Sequence, residues 1–140
     1  MRKALTSRMI PALCLAAIRK LALSYSSRGK SGESQIVDLG EVKIEALVSG
    51  KGEMVVLLPA GSRGPTDFED LTERLTTAGY CVVRPYPRGM GQSIGSMENL
   101  TLHDLASDVA GVIRALGGGP ATVVGHAFGN RVTRMLATDH

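Results

Sequence analysis

Three apolar runs alternate with three amphipathic stretches between residues 54 and 140, and this alternation restricts the fold more than any other feature of the sequence. The first run, MVVLLPA (54–60), is continuously apolar, which favours a strand covered on both faces of a parallel sheet. YCVVRPYP (80–87) and ATVVGHA (121–127) have the same strand character. Strands separated by helices pair in parallel through right-handed crossovers. The sequence therefore predicts an α/β fold.

The stretches between these runs carry the signals of amphipathic helices. Thr66 and Glu69 have capping-box spacing at the start of the first stretch, and Gly79 marks its end. The predicted apolar face of this helix consists of Phe68, Leu71, Leu75 and Ala78. Thr101 is the predicted cap of the second helix. Its predicted apolar stripe consists of Leu102, Leu105, Val109, Val112 and Leu116.

Two short alternating runs precede the first apolar run. In the second of them, apolar residues recur with period two and so share one face of a strand: Val42, Ile44, Ala46 and Val48. Gly40 and Glu41 separate this run from QIVDL (35–39), which predicts an antiparallel hairpin. The predicted fold is thus a mostly parallel sheet with an N-terminal antiparallel hairpin and flanking helices.

The N-terminal residues differ in composition from the rest of the chain. Residues 1–32 hold seven Lys or Arg and no acid, whereas the remainder holds nine basic and thirteen acidic residues, a balance of −4. The apolar run at 9–18 is too short to span a bilayer. Export or membrane association is favoured over a cytoplasmic location. Organelle import, and a leader with no targeting function, are alternatives that stay open. We predict a leader and linker over 1–34 and a folded domain over 35–140.

Composition argues against several classes of function. The mildly acidic predicted domain and the absence of tryptophan disfavour nucleic-acid binding. Cys14 and Cys81 show no metal-ligand spacing and no disulfide framework, so two free thiols are expected. The chain carries no Gly-x-x-x-x-Gly-Lys-Ser/Thr motif. We therefore expect no nucleic-acid partner, no metal and no organic cofactor.

The segment VVGHAFGN (123–130) predicts a strand that turns tightly into a helix. Gly125 and Gly129 flank a central residue that such a turn holds at the edge of the sheet. The helix N-terminus behind it directs N–H groups at any developing negative charge. With serine in the centre, this turn carries an acyl-transfer nucleophile, but the central residue here is Ala127.

Three loops, in this order, resemble those of the α/β-hydrolase superfamily over about residues 36–140. LLPAGSRG (57–64) resembles the oxyanion loop after the third strand, and GHAFGN (125–130) the nucleophile elbow after the fifth. YPRGMGQS (86–93) is similar to the Asp-x-Arg-Gly-x-Gly-x-Ser segment after the fourth strand, with Tyr86 where aspartate is usual. The resemblance implies the N-terminal half of that fold, truncated in the helix after the fifth strand.

The resemblance also implies roles for individual residues. The backbone N–H groups of Gly61 and Phe128 would form an oxyanion hole. The implied supports of the elbow are Gly125, His126 and Gly129. Because Ala127 removes the nucleophile, and because the family's acid and histidine follow later strands, no catalytic residue is assigned. The implied ancestral activity is hydrolysis of ester- or amide-type bonds, with no acyl-enzyme chemistry in this chain.

Three other interpretations of function stay open: a non-catalytic protein that binds a small ester- or amide-like molecule, a fragment of a longer hydrolase, or a pseudogene product with no function. Two kinds of contact with other partners are also predicted. Residues 1–32 are a candidate segment for membrane association or export. In the strand order that the resemblance implies, the apolar fifth strand has no sixth strand to pair with, which predicts self-association through its outer edge.

Overall fold

The computed structural model describes residues 32–61, 63–117 and 119–140, and within them the elements follow the predicted order. The five strands are β1 (Glu33–Asp38), β2 (Lys43–Ser49), β3 (Met54–Leu58), β4 (Cys81–Pro85) and β5 (Thr122–Gly125). The three α-helices are α1 (Glu69–Thr77), α2 (Leu102–Leu116) and α3 (Phe128–Asp139). A short 3-10 turn (Pro65–Phe68) leads into α1.

The N-terminal predictions fall almost entirely outside these residues. The proposed targeting segment and Cys14 lie outside the described part, and β1 begins two residues before the predicted domain start at residue 35. Cys81, at the start of β4, is a free thiol as expected. Among the described residues, no helix combines the length and apolar character needed to cross a bilayer.

The strands form a five-stranded sheet in the order β1-β2-β4-β3-β5. β1 and β2 pair antiparallel, which confirms the predicted hairpin, and β2 continues antiparallel onto β4. β3 lies parallel between β4 and β5. The α/β class is therefore confirmed, in a mixed sheet whose parallel part consists of β4, β3 and β5. Because these three strands run in the same direction, the loops that follow them meet at one edge of the sheet.

Two apolar layers cover the sheet. Helices α2 and α3 pack against one face, where residues from both helices join residues from β2, β3 and β4 in the main core. The 3-10 turn and helix α1 cover the other face through Phe68 and Leu75, which pack on Val55, Leu57 and Val82. The burial of β3 on both faces explains why its sequence is a continuous apolar run rather than an alternating one.

The start of α2 forms as the sequence predicts. The Thr101 hydroxyl accepts the Asp104 N–H at 3.3 Å, and the Asp104 carboxylate accepts the Thr101 N–H at 2.8 Å, which completes a capping box. The hydrogen bond from the Thr101 hydroxyl is the main reason that the pKa of Asp104 lies below its usual range. The predicted Thr101 cap is therefore confirmed, and it depends on two residues only three positions apart.

The start of α1 does not form as predicted. Pro65 begins a 3-10 turn, α1 begins only at Glu69, and no side chain caps it, so the predicted Thr66 cap is wrong. Instead, the Glu69 carboxylate lies 3.1 Å from the guanidinium of Arg84, a fully buried residue of β4 that also donates to the Pro65 carbonyl. A tertiary ion pair therefore replaces the local cap.

The buried face of α1 is also rotated from the predicted stripe. Leu71 is 36% exposed and Ala78 is exposed, whereas Thr72 is buried. Phe68, Thr72 and Leu75 therefore line the face that covers the sheet, at i, i+4 and i+7 spacing. Arg84 contacts the beginning of this helix through Glu69 and the Pro65 carbonyl.

The outer edge of β5 remains a predicted site of self-association. Within the described residues, β5 pairs only with β3, and Val124 is 41% exposed. The strand contains no charge and no proline, the usual protections of an exposed edge.

We expect the chain to sediment as a dimer or larger species and Val124→Lys to return it to the monomer mass. Ile36→Lys, on the exposed face of the opposite edge strand β1, is the matched control and should leave the mass unchanged. A monomeric wild-type chain would contradict the prediction.

Candidate functional site at the carboxyl edge of the sheet

The turn between β5 and α3 holds its central residue in a strained conformation. Ala127 has φ 50° and ψ −110°, a region that residues with a Cβ rarely occupy. Two hydrogen bonds close the turn: the Gly129 N–H donates to the His126 carbonyl at 2.9 Å, and the Asn130 N–H to the Ala127 carbonyl at 3.1 Å. The His126 N–H donates to the carbonyl of Leu58 at 3.0 Å, which fixes the turn to the end of β3. Ala127 itself is exposed.

The two glycines of the turn are required by close packing. A Cβ on Gly129 would collide with the carbonyl groups of Leu58 and Pro59. A Cβ on Gly125 would collide with the Gly129 carbonyl and with the hydroxyl of Thr133. The start of α3 can therefore lie directly against the ends of β3 and β5 only because both positions lack a side chain.

Gly61 and Phe128 lie beside each other at this edge. Phe128 is the first residue of α3, where an N–H has no partner within the helix. A Cβ built on Gly61 would be 3.3 Å from the Phe128 Cβ, so the loop after β3 contacts the start of α3. In the described ranges, neither N–H has a hydrogen-bond acceptor. The residues that the sequence singled out from separate loops are thus neighbours in the fold.

A small apolar cavity of about 40 Å³ lies behind the turn. Phe128 and Gly129 form its wall on the side of the turn, and Pro59 forms part of the wall beneath the β3 loop. The other lining residues come from β2, β3, β4, the loop after β4 and helices α2 and α3: Ile44, Leu58, Pro85, Tyr86, Pro87, Leu105, Asp108, Val109 and Val132.

Asp108 is the acidic residue of this lining, and it is paired. Arg88 donates to both of its carboxylate oxygens, at 2.7 and 2.9 Å, and both side chains are nearly buried. The hydrogen bond to Asp108 is the main reason that the pKa of Arg88 lies above its usual value. This bidentate pair joins the loop after β4 to α2 and leaves the cavity wall without net charge.

A second buried network fixes the same loop to β2. The Glu45 carboxylate accepts the Gln92 N–H and the Ser34 hydroxyl proton, both at 2.7 Å. The Ser93 hydroxyl accepts the Glu45 N–H and donates to the Tyr86 carbonyl, both at 2.8 Å. Sequence reasoning did not single out Glu45 or Asp108. For Asp108, a signal was available, because it lies next to Val109 and three residues after Leu105, on the apolar side of α2.

The histidines are spread between the two ends of α3. His126 is exposed in the turn. His103 lies 2.7 Å from the Asp139 carboxylate, and His140 lies 3.4 Å from the Ser107 hydroxyl, both at the far end of the helix. The twelve residues of α3 separate that end from the turn by about 18 Å. In residues 32–61, 63–117 and 119–140, no three His, Cys, Asp or Glu side chains are grouped as metal ligands.

The strain at residue 127 has a measurable consequence. Glycine adopts this backbone conformation freely, so we expect Ala127→Gly to raise the free energy of unfolding by about 1 kcal/mol. Ala115→Gly, at an exposed position inside α2, is the matched control and should lower it by about 1 kcal/mol. Denaturant titration measures both changes. Equal destabilisation by both substitutions would show that the turn is not strained.

Comparison with known proteins is consistent with this geometry. The family model of the alpha/beta hydrolase fold matches residues 53–140. A curated relative, 2-(acetamidomethylene)succinate hydrolase of Mesorhizobium japonicum, is 31% identical over 98 residues, which are 70% of this chain and 35% of the relative. Fluoroacetate dehalogenase of a Burkholderia species is 31% identical over 113 residues, or 77% of this chain and 37% of that enzyme.

Proteins of known structure that are similar to this chain are also hydrolases. An epoxide hydrolase from an endophytic Streptomyces superposes with a TM-score of 0.72 and 26% identity, over 79% of this chain and 34% of the other. The epoxide hydrolase of Vigna radiata gives a TM-score of 0.72 and 25% identity, over 76% and 35%. The chain therefore spans about a third of the length of these proteins. Because the family model covers more than half of the sequence, the chain belongs to the α/β-hydrolase fold family.

Proposed function

We propose that this chain provides the nucleophile elbow and oxyanion-binding side of an α/β-hydrolase site, and that it binds a small carboxylate or carbonyl compound there without forming an acyl-enzyme. The observation that carries this proposal is Ala127, which takes the strained central position of the turn immediately before the Phe128 amide. The scaffold for a nucleophile is present, and the nucleophile is not.

The nucleophile and the oxyanion-binding N–H groups of a hydrolase site have different chemical requirements. An acyl-enzyme requires an oxygen or sulfur atom with a lone pair to attack the carbonyl carbon, and the methyl group of alanine has none. Oxyanion stabilisation requires only N–H groups held towards the negative charge. The Phe128 and Gly61 amides can supply these without help from residue 127. Ligand binding can therefore persist where covalent catalysis is lost.

Electrostatics favour an anion at this position. The partial positive charge of the α3 N-terminus is directed at the turn, and the first turn of the helix carries no acidic side chain that would compete for it. A carboxylate also has the shape of the species that an oxyanion hole stabilises. We therefore infer that carboxylates and esters or amides of similar size are the class of ligand, in agreement with the hydrolase names of the relatives.

A hydrolytic function remains the competing proposal. The relatives include enzymes named as hydrolases, and the chain spans about a third of their length. In that case water would attack a carbonyl held by the two amides, and His126 is the histidine of the described part that lies at the turn. Turnover would then require the amides but not residue 127, and this difference makes the two proposals separable.

A cysteine at the elbow reports on its electrostatics. In a Cys14→Ser, Cys81→Ser background, we expect the thiol of Ala127→Cys to have a lowered pKa because it faces the N-terminus of α3. Its alkylation by iodoacetamide at pH 7 should be about tenfold faster than that of Thr138→Cys, an exposed position at the other end of the same helix. Equal alkylation rates would contradict an anion-stabilising turn.

Acetate is the simplest probe of the site. We expect acetate, at constant ionic strength, to shift the backbone amide resonances of Phe128 and Gly61 with a millimolar dissociation constant. Gly61→Pro should abolish the effect on Phe128 because proline lacks the N–H. Gly64→Pro, in the same loop and with a φ of −78° that suits proline, is the control that should still bind.

The same variants test for turnover. We expect p-nitrophenyl acetate to be hydrolysed no faster with the protein than in buffer. Hydrolysis that Gly61→Pro eliminates and Gly64→Pro retains would overturn the non-catalytic proposal and support attack by water. An absence of acetate binding in the folded wild-type chain would overturn the proposed site itself.

A further inference from the structure

The loop between β4 and α2 carries a sequence pattern that the proposed function does not use. Asn99, Leu100 and Thr101 read Asn-x-Thr with a residue other than proline in the middle, which is the acceptor pattern for N-linked glycosylation. We propose that Asn99 is a glycosylation site and that this chain receives an oligosaccharide there on the secretory pathway. The proposal goes beyond the anion site at the β5–α3 turn and does not depend on it.

The position of Asn99 in the fold meets the first requirement of such a site, which is a surface loop. Asn99 is exposed and lies in the turn before α2, outside the helices and strands of the described residues. Two residues earlier, Met97 is 56% exposed, so this part of the loop faces solvent. Within the described residues, no hydrogen bond occupies the Asn99 side-chain amide. A bulky, hydrated group can therefore be attached here without loss of packing.

The backbone at Asn99 and the contrast with the second asparagine support this choice of residue. Asn99 has a φ of 53°, in the left-handed region that asparagine adopts more readily than most residues with a side chain. Asn130 is the other asparagine of the sequence, and it lies inside α3 without a serine or threonine two residues later. The acceptor pattern and an exposed turn therefore coincide at Asn99 and not at Asn130.

Thr101 has a second role that sets the order of events. In the folded chain its hydroxyl accepts the Asp104 N–H at 3.3 Å and donates to the Asp104 carboxylate at 2.6 Å, as part of the capping box. The acceptor pattern also requires this hydroxyl residue. Because one hydroxyl cannot serve both partners, glycosylation has to precede formation of the α2 N-terminus. We therefore expect modification of the nascent chain and not of the folded protein.

The N-terminal segment agrees with this route. Residues 1–32 combine an apolar run with basic flanks, for which we expect export or membrane association. The sugar donor would be an oligosaccharide carried on polyprenyl diphosphate. The Asn99 amide nitrogen forms a bond to the anomeric carbon of the sugar, and the bond from that carbon to the diphosphate oxygen breaks. Polyprenyl diphosphate leaves with the electron pair, and a base of the transferase takes the amide proton.

The experiment is cell-free translation of the full chain with endoplasmic-reticulum microsomes. We expect a gain in mass that peptide-N-glycosidase removes, with conversion of the glycosylated asparagine to aspartate. Asn99→Asp and Thr101→Ala should both lose this gain, and aspartate keeps the tolerance of asparagine for the left-handed turn. Thr101→Ser should retain it, because serine keeps both the hydroxyl and the helix cap. Asn130→Gln is the matched control and should also retain it.

A second chain, with a known secretory signal placed before Met1, separates entry into the microsome from acceptor chemistry. If this chain becomes protected from added protease while Asn99 stays unmodified, Asn99 is not an acceptor and the proposal is wrong. If only this chain is modified, residues 1–32 do not deliver the protein to the transferase, and the proposal is wrong for the protein itself. Equal modification of the folded, purified chain and the nascent chain would contradict the order of events.

Discussion

The close approach of α3 to the end of β3 is the constraint on which the rest of the structure depends. Gly129 lies against the Leu58 and Pro59 carbonyls at a distance that excludes any side chain, and the His126 N–H donates to the Leu58 carbonyl. The chain passes from β5 into α3 through two residues, His126 and Ala127. The strained φ and ψ of Ala127 and the exposure of that residue accompany this tight turn.

Polar groups buried below this edge hold the remaining loops in place. A charge removed from water costs several kcal/mol unless partners satisfy it, and the Arg88–Asp108 pair and the bonds to Glu45 meet that requirement. Each joins segments far apart in sequence: Asp108 lies 20 residues after Arg88, and Gln92 lies 47 residues after Glu45. The loop after β4 is therefore fixed from both sides, by α2 and by β2, and it forms one wall of the apolar cavity.

Sequence reasoning succeeded where the determining interactions are local. Continuous apolar runs and periodic apolar patterns identified the strands and helices, and the capping box at Thr101 depends on a residue three positions away. It failed at Thr66, because Arg84 from a later strand binds Glu69 and the Pro65 carbonyl. The neighbouring positions of Gly61 and Phe128 followed from the family resemblance rather than from local pattern. Glu45 could not be recognised as buried, since its partners come from distant loops and the alternation of β2 assigned it to the solvent face.

The strained turn at Ala127 also has an evolutionary consequence. An alanine codon becomes a serine codon through a single base change, and the backbone at this position already has the unusual geometry that displays a side chain above a helix N-terminus. A hydroxyl could therefore be added to the exposed Cβ without moving β5, α3 or their glycines at 125 and 129. Gain or loss of a hydroxyl at residue 127 is therefore a short mutational step on an unchanged backbone.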